Sequence, residues 1–146
     1  MSQSMGFEFP LAGEHADIID TVTAALKDEG FGVLTRIDVD KAFKEKIGAD
    51  FRPYTILGAC NPTLAHTALS SRPDLGLMLP CNVTVEQQAP GQCFVRIVDP
   101  KMMMGMGDLA SDPTITEVAG DAYTRLKRVA DTLSQSAQTT DAASAA

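Results

Sequence analysis

The segment Ala89-Pro90-Gly91-Gln92 limits the folds open to this chain more than any other feature, because it links two strand-like runs. Before it, Cys81, Val83 and Val85 alternate with Asn82, Thr84 and Glu86. After it, Phe94 and Val98 oppose Val95 and Ile97. Pro and Gly between two such runs mark a hairpin, and strands joined by a tight turn pair antiparallel. The sheet must therefore be mixed or antiparallel.

The remaining elements follow from period and punctuation. Residues 5–11 place Phe7 and Phe9 at period two, as a strand does. Residues 14–29 place Ile18, Val22, Ala25 and Leu26 at helical spacing, with Glu14 and Asp17 at the positive end of the dipole. Gly30 suits the left-handed position past that helix, and Phe31 the apolar contact back to Leu26. Residues 32–37 read as a strand with Val33, Thr35 and Ile37 on one side. Asp40 is placed to cap a short helix over 41–47 that stops at Gly48, and residues 52–59 form the next strand. Asn61-Pro62 starts a helix reaching about Ser71: Asn is a strong cap, and Pro fits the first helical position. Residues 113–136 form the longest helix, on a stripe of Ile115, Val118, Ala122, Leu126, Val129 and Leu133. The order is β-α-β-α-β-α-β-β-α: an α+β fold, a mostly antiparallel sheet with helices packed on one face. Residues 5–136 form one domain, and the Ala/Ser/Thr-rich end over 137–146 is expected to be disordered. The uncovered sheet face predicts a homodimer that buries it.

Charge narrows the function classes. Twelve Lys and Arg against nineteen Asp and Glu leave a net charge of −7 over 146 residues. No basic footprint for nucleic acid exists. The uncharged stretch from Tyr54 to Ser71 holds Asn61, Pro62 and His66, which excludes a membrane span there. The first residues show no export signal, so a cytoplasmic location is expected. Three cysteines do not make a secreted disulfide framework.

Three motifs in order carry a resemblance. They are Gly32-Val33-Leu34-Thr35-Arg36-Ile37-Asp38-Val39, then Ile56-Leu57-Gly58-Ala59-Cys60-Asn61-Pro62-Thr63-Leu64-Ala65-His66, then Gly76-Leu77-Met78-Leu79-Pro80-Cys81-Asn82-Val83-Thr84-Val85. Over residues 5–133 the chain resembles the prokaryotic domain-of-unknown-function family 302. The resemblance implies a compact, TATA-binding-protein-like α+β domain, usually dimeric, and no established activity. The Met102-Met103-Met104-Gly105-Met106 run is richer in Met than that pattern requires.

Chemistry concentrates at Cys60, which ends a strand beside the Asn61 cap. A thiol there meets unpaired N–H groups and the positive dipole end, which favour thiolate or a bound anion. Cys60, Asn61 and Cys81 are the candidate ligand-binding residues. If the two sulfurs meet, they could hold Zn²⁺ or Cu⁺ or close a reversible disulfide. His66 is a third metal ligand only if it reaches back along its helix; its helical position points it to the boundary or to solvent. The Met run, with Met78, offers soft thioethers for copper, though Met more often fills irregular apolar gaps. Cys93 reads as structural, His15 as surface, and Asp38 and Asp40 as cap and loop residues. No GxSxG, HExxH, P-loop or GxGxxG motif occurs. A dimeric, non-catalytic module binding a metal ion or small ligand ranks first, because neither thiol has a general base in sequence reach. Thiol redox or transfer through Cys60 and Cys81 ranks second, and a structural or regulatory dimer without a site third.

Overall fold

A computed structural model describes residues 4–145, with side chains through residue 135. Five strands form one antiparallel sheet: β1 (Gly6–Ala12), β2 (Gly32–Asp38), β3 (Tyr54–Cys60), β4 (Cys81–Ala89) and β5 (Gln92–Val98), in the order β1-β5-β4-β3-β2. The hairpin turn lies where expected, with Gly91 at φ +72°. Its two strands bury Cys81, Val83, Val85, Cys93, Val95 and Ile97 on one face.

Helices α1 (His15–Asp28) and α5 (Pro113–Ala145) pack on that face, and α3 (Pro62–Ser71) lies against α5. Their apolar stripes meet the sheet through Val22, Leu26, Ile115, Leu126 and Val129, all essentially inaccessible to solvent. The α1 end is a Schellman motif: Phe31 N–H bonds to the Leu26 carbonyl at 2.9 Å and Gly30 N–H to that of Lys27 at 3.0 Å. The expected disordered tail over 137–146 lies outside the residues whose side chains are described.

Three local expectations are corrected. A bulge between Val33 and Thr35 breaks the alternation of β2. Val33 therefore stands opposite Ala59 on the helix side, whereas Thr35 and Ile37 stand opposite Gly58 and Ile56 on the other. Helix α2 (Val39–Ile47) starts at Asp38, not Asp40, because the Asp40 carboxylate instead accepts the Tyr54 N–H at 3.2 Å. His15 is half-buried: its Nε2 lies 3.2 Å from both Thr55 Oγ1 and the Val85 carbonyl, partners that tertiary packing brings to it. Residues 100–111, which hold the Met run, contain α4 (Pro100–Met104) and a 3₁₀ turn (Gly107–Ser111). Asp99-Pro100 repeats the Asn61-Pro62 signature, and the Asp99 carboxylate accepts the Lys101 N–H at 2.8 Å.

The opposite sheet face carries a charged row. Glu86, 4% exposed, accepts from Arg52 and, at 2.9 Å, from Arg96, which also pairs with Glu8. Burial would raise Glu86, but these hydrogen bonds outweigh it and hold its carboxyl below the usual value.

Candidate functional site

Strand β3 ends at Cys60, and Asn61 turns the chain into α3. The Asn61 Oδ1 accepts the Leu64 N–H at 3.1 Å while its carbonyl takes the Ala65 N–H at 2.9 Å. This cap fixes the first turn of α3 over the end of the sheet. Across the ladder, Cys81 opens β4 opposite Ala59, so Cys60 and Cys81 lie one register position apart along neighbouring strands. Cys60 and Cys81 line one cavity of about 30 Å³, together with Asn61, Leu64, Ala65 and Ala68 from the α3 side and Met104 from α4. The cavity is almost wholly apolar and holds about the volume of one water molecule. Organic ligands occupy pockets of roughly 300–1,000 Å³. The space is of the size of a single ion or water rather than of an organic ligand.

The electrostatics reverse one expectation. Burial pushes the Cys60 thiol up rather than down. The α3 N-terminus offers it little help, since Pro62 has no N–H and Asn61 already takes those of Leu64 and Ala65. Cys81, 4% exposed, is pushed up to about 11 by burial and by the nearby Cys60. Both thiols are therefore protonated at neutral pH, and neither is a prepared nucleophile.

The remaining candidates separate from this pair. His66 is exposed and does not line the cavity. Among the described residues, no group of three or more His, Cys, Asp or Glu is placed to hold a metal. Cys93 is buried elsewhere, its Sγ donating to the Gly13 carbonyl at 3.4 Å. Of the Met run, Met103 and Met104 are buried and Met106 is 57% exposed. Met104 belongs to the run read as a source of soft thioethers, but sequence reasoning did not place it beside the cysteines. Its one signal was the Asp99-Pro100 cap, which starts the turn that carries it inward. Met78 packs on the core but stays outside the cavity wall.

Residues 7–133 match the family model described as "Domain of unknown function DUF302". The chain belongs to the DUF302 family. Among solved structures it is similar to that of an uncharacterized conserved DUF302 protein from Bacillus stearothermophilus, with 32% identity and a TM-score of 0.78 over 90% of this chain and 99% of that one. A search of curated proteins finds no match. Family membership thus establishes the α+β domain and carries no activity with it. Among the described residues, no helix is long and apolar enough to cross a membrane.

Proposed function

We propose that this DUF302 protein is a non-catalytic binding module whose guest is a soft monovalent metal ion, Cu⁺, held by Cys60 and Cys81 with Met104. The single observation carrying this reading is that three sulfur-bearing residues, Cys60, Cys81 and Met104, line one small, mostly apolar cavity. Thiolate and thioether donors select Cu⁺. Zn²⁺ favours four ligands of the N, S or O type, and the cavity supplies only two cysteines of that set. Binding must displace a thiol proton, so affinity rises with pH. The thiol-redox alternative is less well supported, because burial disfavours the attacking thiolate at both cysteines.

The module is proposed to be a cytoplasmic homodimer. Three free thiols suit a reducing compartment, and the face opposite the helices offers exposed Ile37 beside half-buried Ile56, with half-buried Phe94 and Val98 across the Glu86 row, for a second copy. Light scattering that returns a monomer removes the dimer from the proposal. The metal reading is tested by titrating reduced protein with Cu⁺ against a competing chelator. One equivalent per chain is expected, lost in Cys60→Ser and in Cys81→Ser. Uptake by either variant equal to that of the parent overturns it.

A further inference from the structure

Residues 100–111 cross from β5 to α5 outside the sheet and touch the body in two different ways. Their inner side is apolar: Met103, Met104 and Leu109 are buried, and of these Met104 alone reaches the sulfur cavity. Their outer attachment is polar. Arg72 Nη2 donates to Asp108 Oδ1 at 3.1 Å while also holding Asp74 at 2.7 Å, and Ser71 Oγ donates to Asp112 Oδ2 at 3.2 Å. Ser71 and Arg72 close α3, the same helix whose Leu64, Ala65 and Ala68 wall the cavity. The segment is thus pinned at its polar edge to the element it must part from for the cavity to open.

Its backbone is articulated between the buried methionines and the pin. Gly107 sits at φ +58°, a left-handed conformation that side chains rarely adopt. A Cβ at Gly105 would meet the Lys101 carbonyl oxygen at 2.8 Å. Asp99 and Asp112 cap the helices on either side, so both ends are anchored while the middle turns on two glycines.

We propose that residues 100–111 form a gate over the Cys60–Cys81 cavity, with Met104 as its plug and the Arg72–Asp108 contact as its latch, while Ser71–Asp112 holds the fixed end. Solutes reach Cys81 when the latch releases. The gate takes its purpose from the metal reading, but its mechanics stand apart from any metal. An exposed pair of this kind holds weakly, which suits a latch that opens without unfolding the domain.

The test uses metal-free, chelator-treated full-length protein. The neutral reagent iodoacetamide labels the thiols, and peptide mass spectrometry reads Cys60, Cys81 and Cys93 separately. The Asp108→Ala variant removes the Arg72 acceptor and leaves the Ser71–Asp112 contact and the α5 cap in place. Cys81 should label about two- to fivefold faster in the variant, the change an exposed pair supports, with Cys93 unchanged. Added salt should speed Cys81 labelling in the parent more than in the variant, because the latch is screened. An unchanged Cys81 rate overturns the gate, as does a parallel rise at Cys93, which reports general opening. Loss of Cu⁺ uptake from the proposal with this labelling pattern intact would remove the metal and leave the gate standing.

Discussion

Replacing Met104 with Ala and, separately, with Leu divides what its bulk does from what its sulfur does. The side chain is 5% exposed and borders a space that is already empty. Deleting a buried Met side chain costs about 2–5 kcal/mol, more where the void enlarges than where it collapses. The existing 30 Å³ space places Met104→Ala in the upper half of that range, about 3–5 kcal/mol. For a chain of this size each kcal/mol lowers Tm by about 2–4 °C, so a fall of about 6–20 °C is expected. Met104→Leu conserves volume and should cost under about 1.5 kcal/mol. Calorimetry of both variants reads these shifts. The same Leu variant removes the thioether, and its Cu⁺ affinity should drop by about tenfold or more, a loss of about 1.4 kcal/mol. A Met104→Ala protein melting within about 2 °C of the parent would refute the packing argument. A Leu variant that binds Cu⁺ as tightly as the parent would refute the role of the sulfur.

Other consequences follow from the same geometry. Asn61→Ala should lose about 1 kcal/mol by urea denaturation because the Leu64 N–H loses its acceptor, whereas Asn61→Asp should hold stability. The Glu86 carboxyl lies below its unfolded value of about 4.3, so its contribution is present above that pH and is lost as pH falls through the folded value. Acid titration of Glu86→Gln should therefore show a shallower loss of stability than the parent below about pH 4.3. Cys81 runs the other way: its folded value of about 11 lies above the unfolded one, so stability is retained below about pH 8.5 and declines as pH rises through 11. Cys81→Ala should flatten that alkaline decline.

The fold was readable wherever local chemistry decides structure. The Pro90-Gly91 hairpin, the Gly30–Phe31 helix stop and the Asn61-Pro62 start each depend on residues within a few positions of one another, and each stands as the sequence predicts. What escaped depends on contacts between distant segments. The β2 bulge is set by pairing with β3, Asp40 is drawn from capping to the Tyr54 N–H, and His15 finds Thr55 and Val85 only when α1 docks. At the site, Cys60, Asn61 and Cys81 were legible as a strand end, a cap and a strand start. The approach of Met104 was not, because it depends on how residues 100–111 fold back, and a stretch of Met and Gly has no periodicity to report it. The direction of the thiol shifts was also hidden, since burial in the finished core outweighs the position at a helix start.

X-ray absorption at the copper edge of the Cu⁺-loaded protein addresses the sulfur cavity most directly. A first shell made only of sulfur is expected in the parent, with one sulfur fewer in Met104→Leu. A shell of nitrogen or oxygen, or one identical in Cys81→Ser, would place the ion elsewhere and contradict the account.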